Sequence, residues 1–242
     1  MDWHARYSQQ ANWTRDLRSY LFEKAGLVHA RRVLEVGCGT GAILAEIHSP
    51  ASLLGLDLNP AALTQCRVHA PAALLTRGDA LALPYSDEIF DIVYCHFLLL
   101  WVSEPLQAVS EMKRVTCRGG KIIALAEPDY SARVDQPAEL VPLGQWQAES
   151  LRRQGANPSF GAHLAETFYQ AGIELLETGP IQGPEKMRSP DEWKQEWDVL
   201  ESDLAGIASG EEIHKLKVLD EKARAQGQRI LHVPTYFAWG AR

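Results

Sequence analysis

The fold class is decided by the stretch Val33-Leu34-Glu35-Val36-Gly37-Cys38-Gly39-Thr40-Gly41. Its first four residues predict a buried strand, because short, largely apolar runs that stop at a glycine are typical of parallel sheets. The three glycines let the backbone approach a ligand closely. We expect a helix over residues 42–47, whose free N–H groups would face an anionic or nucleoside ligand.

Downstream of this turn, strand and helix patterns alternate. Further strands are predicted at 53–57, 73–76, 90–95 and 121–126, with helices starting at Pro60 and spanning 105–115. Strands that alternate with helices pair in parallel and carry helices on both faces. The pattern therefore predicts an α/β fold with a doubly wound, mostly parallel sheet.

Both ends of the chain are more helical. Residues 1–30 predict a helical segment, and helices are also expected at 142–154 and 162–171. Ser189 and Ser209 each begin a capping-box pattern, so residues 183–228 predict a helical insertion between two late strands. Those strands are expected at 173–178 and 236–241, with residues 230–233 as a further candidate.

Composition restricts the possible partners and location. The 242 residues carry a net charge of −7 without a run of Lys or Arg, which disfavours a nucleic-acid partner. The four cysteines form no CxxC pair and no metal-ligand spacing, so we expect reduced thiols and no metal site. The start of the chain does not resemble a signal peptide, and the apolar run 92–102 is too short for a membrane span. These features predict a cytoplasmic protein.

The glycine turn alone leaves its ligand open. Gly37-x-Gly39-x-x-Ala42 also fits the dinucleotide fingerprint, and Asp57, at the end of the second strand, would bind a ribose in either case. Gly78-Asp79-Ala80 does not belong to that fingerprint; Asp79 would read an adenine amino group, or it is simply a turn residue. NAD and a structural turn without a ligand remain alternatives at this level.

The ordered set of motifs resembles the class I S-adenosylmethionine-dependent methyltransferases. It comprises 33–41, Gly55-Leu56-Asp57, Gly78-Asp79-Ala80, Leu83-Pro84-Tyr85, Phe90-Asp91-Ile92-Val93 and Arg118-Gly119-Gly120. The resemblance covers roughly residues 30–127 and is greatest to the branch of the ubiquinone and menaquinone biosynthesis C-methyltransferases. It implies a seven-stranded Rossmann-like sheet with an antiparallel last strand. It also implies S-adenosylmethionine as methyl donor, with S-adenosylhomocysteine as product.

The resemblance also implies roles for matching residues. Glu35 and the loop formed by Gly37, Cys38, Gly39 and Gly41 would hold the methionine end of the donor. Asp57 would bind the ribose and Leu58 would pack on the adenine, whose edge Asp79 and Ala80 would read. Cys95 would contact the donor near its sulfonium through its carbonyl. Residues 31–242 are then the donor-binding domain and residues 1–30 a helical lid.

Residues around the methyl acceptor are less well defined by the pattern. His96, at the end of the fourth strand, is the candidate general base, with a purely structural imidazole as the alternative. Arg15 of the lid would pair with the methionine carboxylate, beside Tyr7 and Trp13; the alternative is a surface helix packed on the core. Glu127 follows the fifth strand and either faces the site or belongs to a turn.

The nature of the acceptor stays open at the sequence level. Several residues of the late segment are candidates to line a largely apolar acceptor cavity, although core packing also explains the aromatic ones: Trp146, His163, Trp193, Trp197, Tyr236 and Trp239. The residues after the fourth strand do not form the loop typical of adenine or cytosine N-methylation, and they differ from the quinone enzymes. A small-molecule acceptor is the leading hypothesis, and a macromolecular acceptor or a non-catalytic binding protein are the alternatives.

Overall fold

A computed structural model describes residues 2–181 and 189–242 of the chain. Nine strands are found in these residues, in chain order: β1 Arg32–Val36, β2 Ser52–Asp57, β3 Leu74–Arg77, β4 Phe90–Cys95, β5 Thr116–Pro128, β6 Val134–Gln136, β7 Glu174–Pro180, β8 Ile230–His232 and β9 Thr235–Ala241. The α-helices of the same residues are α1 Trp3–Trp13, α2 Arg15–Lys24, α3 Pro60–His69, α4 Pro105–Val115, α5 Val141–Arg153, α6 Leu164–Gln170, α7 Pro190–Leu204 and α8 Gly210–Ala225.

Seven of the strands form one sheet in the order β3-β2-β1-β4-β5-β9-β7. The first five strands pair in parallel, whereas β9 is antiparallel to both β5 and β7. The predicted seven-stranded sheet with an antiparallel last strand is therefore confirmed. Val36 pairs with Leu56 on one side and with Cys95 on the other. The carboxyl ends of β1, β2 and β4 consequently meet at one edge of the sheet.

Apolar residues of the sheet are buried on both of its faces. Val33, Ile92 and Ile123 pack with α2 residues on one face, and Leu34, Val93 and Ile122 pack with α4 and α6 on the other. This two-sided burial explains why the central strands are apolar along most of their length.

The predicted helix over residues 42–47 is wrong. The chain forms only a single 3₁₀ turn there, Leu44–Glu46, before it reaches β2 at Ser52. Few residues separate Gly41 from the sequence His48-Ser49-Pro50, and proline disfavours helix at the residue before it. Backbone amides of the loop, rather than a long helix, therefore face the edge of the sheet.

The helical insertion between the late strands is confirmed for its described part. Ser189 and Ser209 cap α7 and α8 with complete capping boxes, as the sequence predicted. Residues 183–188 of the predicted insertion lie outside the described residues. The chain leaves the large sheet after β7 and returns at β9, and the Ile181 N–H donates to the Thr235 carbonyl at 2.7 Å.

A second sheet was not predicted. It consists of the two short strands β6 and β8, which pair in antiparallel orientation. Arg229, just before β8, bonds Asp135 of β6 at 2.7 Å and Asp220 of α8 at 2.5 Å. Together with α5 and α7, these elements form a layer beside the carboxyl edge of the large sheet.

Candidate functional site

A cavity of about 430 Å³ opens at the carboxyl edge of the sheet. One group of lining residues comes from β1, the glycine loop and the end of β2, and includes Glu35, Gly37 and Asp57. A second group comes from α1, α5 and α7, and includes Arg6, Gln147 and Asp203. The cavity therefore joins the predicted donor residues to a set that the sequence did not single out.

The glycine loop is shaped by its neighbours as well as by its own backbone. Gly37 and Gly39 both have positive φ, at 74° and 51°. A β-carbon on Gly37 would lie 2.7 Å from the Leu98 side chain, and one on Gly39 would lie 3.2 Å from the Tyr7 ring. Only glycine fits both the backbone conformation and the space.

Asp57 organises the loop through backbone hydrogen bonds. Its Oδ2 accepts the Gly39 N–H at 2.8 Å and its Oδ1 accepts the Asn59 N–H, also at 2.8 Å. A carboxylate offers about four lone-pair positions, so capacity remains for further donors. Hydroxyl groups of a ribose are donors of that kind.

Glu35 is a buried carboxyl group at the base of the cavity. It accepts a hydrogen bond from the Tyr94 hydroxyl of the adjacent strand at 3.0 Å. Burial raises the pKa of Glu35 well above its usual value, and the Tyr94 hydrogen bond opposes that shift. Such a carboxyl group is suited to a cationic partner, because a cation offsets the cost of burying its charge. No sequence pattern pointed to Tyr94 as the partner of Glu35.

The remaining predicted donor residues lie along the same edge but differ in environment. Leu58 is exposed, and Asp79 forms a turn in which its Oδ1 accepts the Leu81 N–H at 2.9 Å. Ala80 packs at the margin of the core beside this turn. Cys95 is fully buried at the end of β4. Gly41 lies away from the cavity, since a β-carbon there would meet the Cys66 sulfur at 2.7 Å.

His96 is held by the amino-terminal helices. Its Nε2 lies 3.1 Å from the Thr14 hydroxyl, between α1 and α2. Burial lowers the pKa of His96 to about 3, and the nearby Arg18 adds to the shift. The imidazole is therefore neutral at physiological pH. It is a weak proton acceptor, since a general base works best with a pKa near the operating pH.

Arg15 is not brought to the cavity. Its guanidinium bonds Glu46 at 3.0 Å and the Asn12 side chain, and it lines a separate groove beside α2. Arg18, one turn later, is buried and also pairs with Glu46. Helix α1 instead covers the glycine loop with Tyr7 and His4, because the His4 Nδ1 lies 2.8 Å from the Thr40 hydroxyl.

Glu127 holds the loop that follows β4. Its Oε1 accepts the N–H groups of Leu98 and Leu99 at 3.0 and 2.9 Å, and its Oε2 accepts that of Leu100 at 3.1 Å. Burial raises the pKa of Glu127 to about 7, against the effect of these three bonds. Its side chain fixes the loop, and Leu98 and Leu100 of that loop line the cavity.

The late tryptophans pack mainly in the core. Trp197 is buried between α7 and α8 and donates to Asp220 at 2.8 Å, while Trp239 of β9 packs on the face of the sheet that α2 covers. None of Trp146, Trp193, Trp197, Tyr236, Trp239 and His163 is among the residues that line the cavity. The aromatic rings of the cavity come instead from Trp3, Tyr7, Phe97, Trp101 and Tyr130.

Comparisons with known proteins bear on what this site binds. The model of a methyltransferase domain matches residues 34–124. A demethylmenaquinone methyltransferase of Lactiplantibacillus plantarum is 32% identical over 175 residues, which cover 68% of this chain and 69% of that protein. The chain belongs to the class I S-adenosylmethionine-dependent methyltransferase family.

Other relatives of this protein differ in the acceptor that their names give. A demethylmenaquinone methyltransferase of Renibacterium salmoninarum is 34% identical over 64% of this chain and 66% of its own. A malonyl-[acyl-carrier protein] O-methyltransferase of Halorhodospira halophila is 34% identical over 49% of this chain and 43% of its own. The match thus spans between 43% and 66% of the length of these two relatives.

Solved structures support the fold of this protein. A Bacillus halodurans protein, provisionally assigned as a methyltransferase, superposes with a TM-score of 0.65 at 19% identity, over 93% of this chain and 97% of its own. The [4+2]-cyclase SpnF superposes with a TM-score of 0.58 at 20% identity, over 94% of this chain and 80% of its own. Because the second protein is a cyclase, similarity at this level shows the fold alone.

No helix in residues 2–181 and 189–242 has the length and hydropathy needed to cross a bilayer.

Proposed function

We propose that this protein transfers the methyl group of S-adenosylmethionine to a small-molecule acceptor by in-line displacement. The observation that carries the proposal is the single cavity that connects the Asp57 and Glu35 region to a second region lined by α1, α5 and α7. One region suits the donor and the other leaves room for a small acceptor. The relatives named demethylmenaquinone methyltransferases support a small acceptor.

The chain's residues fit the donor by their chemistry. Asp57 has lone pairs left for ribose hydroxyls, and Glu35 offers a buried carboxyl group to the methionine ammonium. The positive φ of Gly37 and Gly39 turns the backbone toward the cavity. The donor supplies an already activated methyl group, so the protein contributes mainly by orienting the two reactants.

Proton removal by His96 is not required by this proposal. With a pKa of about 3, its imidazole is a poor proton acceptor. Its contact with the Thr14 hydroxyl suits it to hold the end of β4 against the amino-terminal helices. An acceptor atom that is nucleophilic without strong base assistance fits this site best. His96 lines the cavity, and we propose that it positions the reacting region rather than acting as a general base.

Calorimetry with S-adenosylmethionine, S-adenosylhomocysteine and NADH tests the donor. We expect binding of both sulfur nucleosides and none of NADH. Asp57→Asn weakens their binding by roughly tenfold or more, because a charge-assisted hydrogen bond contributes about 1.5–3 kcal/mol. Asp198→Asn, on the exposed face of α7, is the matched control. Tight binding of NADH alone would contradict the proposal.

Turnover separates the remaining alternatives. We expect S-adenosylhomocysteine to accumulate with members of a small-molecule acceptor panel, and not with protein or RNA fractions. Accumulation only with a macromolecular fraction would favour a macromolecular acceptor. Donor binding without turnover on any panel would favour a non-catalytic binding protein.

A further inference from the structure

The second region of the cavity contains a carboxylate that is not in salt-bridge contact with a cation of the described residues, although the charge of the nearby Arg6 acts on it. Asp203 of α7 accepts a hydrogen bond from the Gln147 Nε2 at 3.1 Å through its Oδ2. It forms no ion pair with any residue in the described ranges 2–181 and 189–242. The other buried charges beside it are paired, since Arg6 bonds Glu196 at 3.3 Å and Arg133 bonds Asp135 at 2.7 Å.

The orientation of Gln147 is fixed from its other side. Arg133 donates to the Gln147 Oε1, and a guanidinium has no acceptor atom. The amide nitrogen of Gln147 must therefore point at Asp203. Arg133 is itself locked by two bonds to Asp135, at 2.7 and 3.0 Å. This chain of contacts holds the Asp203 carboxylate in place before any ligand arrives.

The carboxylate of Asp203 has capacity left for a ligand. Asp203 lines the cavity, and the side chains of Gln147 and Gln154 are its hydrogen-bonding neighbours. A carboxylate offers about four lone-pair positions, so two amide donors do not exhaust it. Burial raises the pKa of Asp203, opposed by its amide contacts. A partly buried carboxylate of this kind gains most from a cation, because a cation neutralises the charge and donates a hydrogen bond.

Aromatic rings of the same cavity strengthen the preference for a cation. Trp3, Trp101 and Tyr130 line it together with Asp203. The faces of aromatic rings attract ammonium groups by their quadrupoles, and this holds also for Trp3 and Trp101, which are about half exposed. An anionic group would face the Asp203 carboxylate instead, at an electrostatic cost.

We propose that Asp203 is a specificity-determining residue that anchors an ammonium group of the methyl acceptor, so that the acceptors of this protein belong to the amines. The inference rests on the proposed function. Gln147 is a positioning residue for the anchor, and Arg133 acts on it through Gln147. The methyl donor is bound by other residues, at the β1 and β2 ends, so anchoring and donor binding are separable.

The test uses three probes with one skeleton, on the whole protein saturated with S-adenosylhomocysteine. Tyramine, tyrosol and 4-hydroxyphenylpropanoate share a phenol and a two-carbon linker, and end in an ammonium, a hydroxyl and a carboxylate. Hexylamine and hexanol repeat the comparison without a ring. Dissociation constants are measured by calorimetry, or by saturation-transfer NMR for weak binding.

We expect each amine to bind roughly tenfold tighter than its alcohol, and the carboxylate to bind weakest. Asp203→Asn, which keeps the Gln147 contact, should reduce the amine to the affinity of the alcohol. Glu201→Gln removes an exposed charge from the same helix and should change neither affinity. Circular dichroism and the S-adenosylhomocysteine affinity of Asp203→Asn should equal those of the wild type.

Three outcomes would overturn the inference: equal binding of amine and alcohol, an unchanged amine affinity in Asp203→Asn, or no binding of any probe. If S-adenosylhomocysteine itself fails to bind, the proposed function fails. If it binds and the amines show no advantage, only the anchor fails. The two failures are therefore distinguishable.

Discussion

The two regions of the cavity are built by different means. At the donor region, backbone does most of the shaping: the loop after β1 turns through Gly37 and Gly39, and its amides are fixed by Asp57 and the Leu56 carbonyl. At the second region, side chains do the shaping. Buried ion pairs of Arg229 connect β6 to α8, and hydrogen bonds of Gln147 connect this network to α5 and α7. Arg229 and Asp135 lie 94 residues apart in the chain.

The difference affects how each region responds to change. A backbone-built loop tolerates most substitutions except at its glycines and its anchoring carboxylates. A side-chain network depends on every member, since removal of one partner leaves a buried charge uncompensated. Variants of the second region should therefore lose stability while donor binding persists.

Arg229→Met should give the largest effect. Arg229 is almost fully buried and bridges Asp135 and Asp220. Its loss is expected to lower the free energy of unfolding by about 4 kcal/mol, because two buried carboxylates each lose a partner. Urea unfolding measures the loss, and Arg153→Met, an exposed arginine, is the control. An equal loss of S-adenosylhomocysteine affinity in the folded protein would show that the two regions are not independent.

Glu127→Gln should change how the free energy of unfolding depends on pH, through the carboxyl group that holds the loop after β4. The pKa of Glu127 is raised to about 7, so its contribution to stability is present below the unfolded value near 4.5 and is lost as pH rises through 7. Wild-type stability should fall relative to the variant by about 3 kcal/mol between pH 4.5 and 8. Glu139→Gln, which is exposed, should show no such trend. A pH-independent difference would mean that the three N–H bonds keep Glu127 ionised throughout.

His96→Gln should change the pH dependence of the free energy of unfolding in the opposite direction and by a smaller amount. The lowered pKa of about 3 means that the folded state resists protonation, so the stability due to His96 is present above the unfolded value near 6.5 and falls as pH decreases. At pH 5 the wild type should have lost about 2 kcal/mol relative to the variant. Thermal unfolding from pH 7.5 to 5 measures it, with the exposed His163→Gln as control. Parallel curves would contradict the burial of the imidazole.

Arg15→Ala should have the smallest effect. The guanidinium is mostly exposed and pairs with Glu46 rather than facing the cavity. Exposed ion pairs contribute about 0–1 kcal/mol, so S-adenosylhomocysteine affinity should change by less than about twofold. A loss of tenfold or more in calorimetry would instead support the sequence-based prediction that Arg15 reaches the methionine carboxylate. This variant therefore tests where the donor region ends.

The sequence predicted the large sheet well because the deciding signals are local. Each parallel strand is an apolar run, and the glycine turn requires backbone conformations that other residues rarely adopt. The helix predicted over 42–47 failed for a local reason as well, since Pro50 and the short distance to β2 leave room for a single turn.

The second region escaped prediction because its signals are not local. The candidate strand at 230–233 corresponds to β8, but a three-residue strand such as β6 has no measurable periodicity, and nothing near Arg133 in the chain points to Gln147. Asp203 lies in a helix rich in carboxylates, where its contact with Gln147 and its place in the cavity lining distinguish it. Glu127 was found as a candidate by its place after the predicted fifth strand, but its three N–H partners depend on how the loop after β4 folds.

The bond between Ile181 and Thr235 has a consequence for how acceptor preference changes during evolution. The chain leaves the sheet and re-enters it at neighbouring positions, so both ends of the intervening segment are attached to the sheet at one place. A segment attached in this way can be exchanged for one of another length at a small entropic penalty, because loop closure depends only weakly on length. Under the proposed function, new acceptors can thus be acquired by replacing this segment, while the donor-binding loop is inherited unchanged.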